Sequence, residues 1–233
     1  MQLITQEALD SYLKEDRVRQ WMDQLSSPGD WNRTCQKWLA SSDPKRFIYQ
    51  QMYGDLLDQA SHGRRVLDIG GGLTCFTKVL AERHCYDLVD LCAHDDPQEA
   101  QRLNEQYDRH AIHAVDWSSF DSQNYELVIA NDLFPNVDQR LEQFLQSYLP
   151  RCQRMRLSLT WYTTQRAYQV KRVDGDEIFF MLAWDGDQLH RVLNKFSTEI
   201  VDYDEQVFLT DHPSLYPNGR QVCLVDLTGR ASR

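Results

Sequence analysis

Four groups of residues in this chain have types and spacings suited to holding a nucleotide-like ligand at the strand ends of an α/β sheet. The first is Val66-Leu67-Asp68-Ile69-Gly70-Gly71-Gly72-Leu73-Thr74. A short apolar strand closes on an acid, three glycines follow, and Leu73, Phe76, Val79 and Leu80 then recur at helical spacing. Strand, glycine turn and helix form the opening unit of a nucleotide-binding α/β domain. Backbone passing close under a ligand cannot carry side chains, and a tight strand-to-helix turn often needs positive φ. The helix start directs free N–H groups toward whatever occupies the turn. On its own the motif is also compatible with a bare tight βα connection. The second group is Asp90, which ends Tyr86-Asp87-Leu88-Val89-Asp90-Leu91, 22 residues after Asp68. An acid at that interval sits at the tip of the neighbouring strand, where it can accept both hydroxyls of a ribose. The third is Asp116-Trp117, closing the short strand Ala111-Ile112-His113-Ala114-Val115; by itself Asp116 also suits an Asx turn. The fourth, Asn131-Asp132-Leu133-Phe134-Pro135-Asn136, follows the apolar strand Glu126-Leu127-Val128-Ile129-Ala130. Open α/β sheets bind ligands beyond such carboxyl ends.

The dinucleotide fingerprint G-x-G-x-x-G is absent, since the positions from Gly70 run Gly, Gly, Gly, Leu, Thr, Cys. The order acid, apolar, Gly, any, Gly instead resembles the first motif of the class I (Rossmann-like) S-adenosylmethionine-dependent methyltransferase superfamily, small-molecule type. Thr74 stands where many members have a third glycine. The resemblance covers residues 60 to 229 in element order and rests on the four strand-end positions. It implies S-adenosyl-L-methionine as cofactor, with Asp68, Gly70, Gly71 and Gly72 at its methionine end and Asp90 and Leu91 at the ribose. It also implies that Asp116 accepts from the adenine amino group, that Trp117 packs near the ring, and that Asn131 and Phe134 complete the site. An N-terminal helical segment in such proteins caps cofactor and substrate, and here Arg46 or Tyr49 would meet the methionine carboxylate.

The chemistry so implied is in-line displacement at the carbon on a sulfonium. Its main requirement is a nucleophile held about 3–3.5 Å from that carbon in a shielded pocket. Asp132 is the first candidate for a base or an orienting group. Asn131 could hold an acceptor amine or hydroxyl through its side-chain carbonyl. Phe134, Trp161, Tyr162 and Tyr168 could face a cation, each such contact contributing about 0.5–2 kcal/mol, although any one of them fits the core equally well. Asn131, Asp132, Tyr162 and Tyr168 are thus the catalytic candidates. No metal is expected, because H-E-x-x-H and dense His/Asp clusters are absent. The expected activity is methyl transfer to O or N of a small molecule of natural-product, sugar or amino-acid-derived type. The alternatives are attack of the cofactor's own amine on its γ-carbon, giving azetidine-2-carboxylate and methylthioadenosine, or a non-catalytic cofactor-binding partner subunit. A protein substrate is a further option, hinted at by the acidic run Asp202-Tyr203-Asp204-Glu205.

The elements that must position these residues fit an α/β chain of 233 residues, one domain plus an appendage. Apolar residues at 42% and charged residues at 26% are ordinary for a globular protein. A net charge of −10 lacks the electrostatic footprint for nucleic acid or an anionic membrane surface. The N-terminus has neither a basic region nor a long apolar run, and Cys35, Cys75, Cys85, Cys92, Cys152 and Cys223 form no C-x-x-C pair. Buried free thiols of a cytoplasmic protein that could pair as a homodimer are the expectation. Residues 1–60 read as a helical cap, with Val18, Trp21, Met22 and Leu25 on one face and a helix capped at Asp43-Pro44 that carries Phe47, Ile48, Met52, Leu56 and Leu57. Residues 61–233 read as the cofactor domain. In it a helix runs from Asp96-Pro97 to about Arg109, and another carries Leu141, Phe144, Leu145, Tyr148 and Leu149. After a fifth strand, Met155 to Thr160, a β-hairpin is inserted at about 161–184, turning at Asp174-Gly175-Asp176. It would serve as a lid, pocket wall or dimer surface. A helix from Asp185-Gly186-Asp187 and two strands, around Val207-Phe208-Leu209 and Val222-Cys223-Leu224-Val225, would complete a seven-stranded methyltransferase-type sheet with helices on both faces.

Overall fold

The computed structural model describes residues 1–96, 98–107, 109–171 and 178–231. A two-residue strand, β1 (Gln2–Leu3), precedes the helices α1 (Gln6–Leu13), α2 (Arg17–Leu25), α3 (Thr34–Ser41) and α4 (Asp43–Tyr53). The α/β alternation follows as β2 (Arg65–Ile69), α5 (Cys75–Arg83), β3 (Cys85–Val89), α6 (Glu99–Gln106), β4 (Ile112–His113), β5 (Tyr125–Asn131), α7 (Leu141–Tyr148) and β6 (Cys152–Trp161). Strands β7 (Arg166–Lys171) and β8 (Ile178–Ala183) pair as an antiparallel hairpin, and the chain ends with α8 (Gly186–Leu193), α9 (Gln206–Leu209) and β9 (Gln221–Thr228).

The main sheet has seven strands in the order β1-β9-β6-β5-β2-β3-β4. Strands β2 to β6 run parallel, and β9 and β1 are antiparallel to their neighbours. This is a Rossmann-like sheet of the methyltransferase type. Successive residues of a strand point to opposite faces, and here they feed two separate cores. Val66, Leu127 and Ile129 join Phe47, Tyr53 and Phe76 on one face. Leu67, Val128 and Ala130 join Phe144, Leu157 and Leu189 on the other. The near-continuous apolar runs of β2 and β5 follow from this double burial. Strand β2 pairs with β3 on one side and β5 on the other, so the connections diverge there. The crevice of the sheet therefore opens between Ile69 and Asn131.

The seventh strand is not the expected one. Val207-Phe208-Leu209 lies in helix α9, and the edge position is filled by β1, paired as Gln2↔Leu224 and Leu3↔Cys223. A short apolar run does not distinguish strand from helix by pattern. Here the Asp204 carboxylate accepts from the Gln206 N–H at 3.0 Å, and Phe208 is buried edge-on to Trp161 at 5.1 Å. Three smaller differences concern boundaries. Ser42, not Asp43, caps α4, through its hydroxyl to the Lys45 N–H. Helix α6 stops at Gln106. Strand β4 stops at His113, and Asp116 caps a short 3-10 turn over Trp117–Ser119. The helix expected at Asp185 is present, with a capping box between Asp185 and Gln188. The expected hairpin turn Asp174-Gly175-Asp176 and Pro97 lie outside the described residues. Among the described residues no helix is long and apolar enough to cross a membrane.

Candidate active site

A cavity of about 1060 Å3 occupies the crevice, and its wall takes residues from α3, α4, the glycine turn, the ends of β3 and β5, the hairpin and the segment before β9. The glycine turn forms its floor. Gly70 and Gly72 have φ of +70° and +68°, a region that side chains disfavour. A Cβ on Gly72 would stand 2.3 Å from the Cys35 sulfur, and one on Gly71 2.4 Å from the Asp68 carboxylate. The bare backbone therefore faces the cavity. Thr74 caps α5 and exchanges hydrogen bonds with Thr77 in a capping box.

Asp68 lies beneath this floor and does not line the cavity. Its carboxylate accepts from the hydroxyls of Tyr86 at 2.7 Å and Tyr53 at 3.0 Å. Burial pushes it up to about 7, the two tyrosine donors hold it back, and the nearby Asp90 charge adds to the rise. Asp90 does line the cavity, and it accepts from the N–H of Gly72 at 3.1 Å and of Cys92 at 2.6 Å. It too is raised, chiefly by burial. Leu91, Val115 and Trp117 line the same end, and Tyr49 lines it from α4 while bonding to Thr74.

Asp116 is engaged more fully than the sequence reading anticipated. The Arg140 guanidinium clamps it at 2.8 and 3.2 Å, and Ser118 donates to it from both N–H and hydroxyl. The Arg140 hydrogen bonds hold the carboxyl well below the usual range. Arg140 also lies 4.6 Å over the Trp117 ring, whose Nε1–H donates to Asp138 at 2.7 Å.

The opposite end gathers three charged groups from distant segments. Asp132, in the left-handed region at φ +58°, accepts from Lys45 of α4 at 2.8 Å and from Arg220, which precedes β9. Burial alone would raise its carboxyl, yet the charges of Arg220 and Lys45 and their hydrogen bonds pull it down to about 2. Its backbone N–H donates to Ser158 Oγ, and that hydroxyl donates to the Asn131 carbonyl, both at 2.7 Å. Asn136 donates at 3.1 Å to the same Asp132 oxygen as Arg220, while Lys45 donates to the other. Tyr168 and Met181 face each other across the hairpin and line the cavity here.

Several expected roles shift accordingly. Asp132 is a doubly paired anion, which suits an orienting group and not a base. Asn131 already accepts from Ser158 through the carbonyl expected to hold an acceptor. Phe134 is fully buried between Phe144 and Trp117, so it is a core residue off the cavity wall, and Trp161 is likewise core. Tyr162 sits behind the lining, 6.4 Å from Tyr168, on a bridge to Asp185. Arg46 turns away from the cavity to pair with Asp16 and Asp43. Lys45, its neighbour on α4, lines the cavity. Lys45 and Tyr49 are four apart on α4 and share one face, a period that could have identified Lys45. Nothing in the loop Pro217-Asn218-Gly219 marks Arg220. Among the described residues no group of His, Cys, Asp and Glu could hold a metal ion.

No protein-family model matches the chain, and no curated protein does. Solved structures with similar folds include magnesium protoporphyrin IX methyltransferase from Synechocystis PCC 6803 with bound SAM, at 17% identity and a TM-score of 0.47, covering 91% of this chain and 97% of that one. Another is 1,6-didemethyltoxoflavin-N1-methyltransferase from Burkholderia thailandensis, crystallised with 1,6-didemethyltoxoflavin and S-adenosylhomocysteine. It shares 15% identity at a TM-score of 0.47, covering 98% of this chain and 92% of that one. Coclaurine N-methyltransferase with N-methylheliamine and S-adenosylhomocysteine shares 14% at a TM-score of 0.49, covering 85% of this chain and 66% of that one. At these identities no residue role passes from those proteins to this chain; its methyltransferase-type fold is read from the order and direction of its own strands.

Proposed function

We propose that the protein binds S-adenosyl-L-methionine and transfers its methyl group, in line, to O or N of a small molecule. The observation that carries this reading is the join between the glycine turn and Asp90. The turn offers side-chain-free backbone, and the acid at the tip of the adjoining strand is fixed by the Gly72 and Cys92 N–H groups. The fit is chemical as well as steric. Asp90 keeps acceptor capacity for two ribose hydroxyls. Asp90, on the cavity wall with no ion-pair partner among the described residues, suits a cationic ligand, and the cavity, at about 1060 Å3, lies just above the roughly 300–1,000 Å3 range of small-molecule sites, with room for cofactor and acceptor.

When bound, the cofactor supplies an electrophilic methyl carbon on a sulfonium. The chain's own residues bind and orient. Gly70 to Gly72, Tyr49 and Lys45 hold the methionine end, Lys45 as partner to its carboxylate. Asp90 takes the ribose, with Leu91, Val115 and Trp117 flanking the base. Asp116, committed to Arg140, contributes to the adenine end through that clamp. Asp132 and Asn131 define the floor next to the reacting centre, and Tyr168 and Met181 shield it from water. An acceptor that needs no strong base fits this site, because Asp132 stays ionised and paired far below neutral pH.

Mass spectrometry of purified protein incubated with S-adenosylmethionine, first alone and then with a small-molecule extract, tests the reading. S-adenosylhomocysteine formed only with extract is the expected result. Methylthioadenosine formed above background without any acceptor would contradict it and would favour intramolecular ring closure.

A further inference from the structure

The cluster at the hairpin end has an imbalance that the methyl-transfer reading alone does not use. We propose that the acceptor carries a carboxylate and that Arg220 receives it; this rests on the methyl-transfer reading above. Two cations, Lys45 and Arg220, converge on the single carboxylate of Asp132. Among the described residues these two cations share that one acid, so once the cofactor's carboxylate takes Lys45, Arg220 keeps donors that Asp132 does not engage.

Arg220 has 11% of its side chain exposed and lines the cavity. Asp132 occupies one arm of its fork. The Nε–H is buried and finds no partner among the described residues, and the hydroxyl of Tyr216, whose ring lies 4.9 Å under the guanidinium, is buried and unpartnered in the same sense. Buried donors in native structures are nearly always satisfied, and an orphan calls for a ligand or water. A guanidinium arm presents donors in a plane that matches a carboxylate. A monoanion fits better than a phosphate monoester, which carries about −1.5 to −2 near neutrality and would crowd Asp132. Leu133, Tyr168, Met181 and Trp38 supply apolar wall for the body of such a molecule. Lys45, engaged by the cofactor's own carboxylate, leaves Arg220 for the acceptor.

The test is calorimetric and uses matched pairs of a monocarboxylate and its primary amide: benzoate and benzamide, hexanoate and hexanamide, indole-3-carboxylate and its amide. Each is titrated into the protein saturated with S-adenosylhomocysteine. At least one acid is expected to bind about tenfold or more tightly than its amide. In Arg220→Gln that preference falls to near unity, and in Arg220→Lys it is partly kept, which separates lost charge from lost fold. If no acid outbinds its amide in the wild-type protein, or if the preference survives in Arg220→Gln, the assignment is overturned. Failure of the wild-type protein to bind S-adenosylhomocysteine at all sinks the underlying reading instead.

Discussion

At the glycine-turn end, Asp90 on the cavity wall and Asp68 buried beneath the turn have no ion-pair partner among the described residues, and desolvation raises both. At the hairpin end, Asp132 carries two cations and is pulled down to about 2. The same residue type thus takes opposite character within one cavity, set by whether a cation accompanies the burial. At the first end Asp90 faces the cavity without a cation among the described residues, and at the second Lys45 and Arg220 share Asp132.

The largest expected effect comes from dismantling the hairpin end. Asp132→Ala strands Lys45 and Arg220 together, and breaking such a pair within a structure costs about 3–5 kcal/mol when buried. With Asp132 and Lys45 partly exposed, a loss near the lower figure is expected in chemical denaturation. An unchanged midpoint would mean that the cluster is solvated and its charge imbalance unimportant. Next is the glycine turn. Gly72→Ala forces a side chain into the left-handed region and against Cys35, with an expected loss of about 1–3 kcal/mol and sharply weaker cofactor binding in the same titration. Tyr86→Phe should cost about 1–3 kcal/mol by removing a donor from the buried Asp68.

The two ends also separate by pH. Asp68 is raised in the folded state from an ordinary 3.8 to about 7. Its contribution to stability is therefore full below the ordinary value and is lost as pH climbs through about 7. Asp132 is depressed, so its contribution is present above about 4 and is lost as pH falls toward 2. Denaturation of Asp68→Asn between pH 4 and 7 should decline less than wild type. Parallel curves would contradict the contrast. The smallest effect is at Arg140, whose pairs are partly exposed and worth about 0–1 kcal/mol. Arg140→Ala should barely change stability but should lower cofactor affinity by loosening Asp116; a rise in affinity would contradict the clamp and mean that Arg140 competes for Asp116.

The glycine turn and Asp90 were legible in the sequence because they are local, whereas Asp68, expected beside the ligand, lies beneath the turn, held by Tyr53 and Tyr86. An acid, a glycine turn and a second acid one strand later lie in consecutive segments, and strand-end position follows directly from strand pattern. The hairpin end was half legible. Asp132 and Tyr168 belong to recognisable elements, but Lys45 and Arg220 reach Asp132 from 87 and 88 positions away, a meeting only the tertiary fold arranges. Arg46 points away from the cavity to Asp16 and Asp43, while Tyr49 and Lys45, the latter about 100° round the same helix, line it. Phe134 and Trp161 looked equally suited to site or core, because aromatic side chains satisfy both, and the packing decided for core. Strand β1 was invisible since two residues carry no period, and α9 was read as a strand since three apolar residues in a row carry either.

The central claim is that Asp90 and the glycine turn together form the S-adenosylmethionine site, and calorimetric titration of S-adenosylmethionine into wild-type protein and Asp90→Ala tests it most directly. The account predicts one equivalent bound by the wild type. In Asp90→Ala the loss of charged hydrogen bonds, about 1.5–3 kcal/mol, lowers affinity about ten- to hundredfold. No binding by the wild type, or equal affinity in the two proteins, would contradict it.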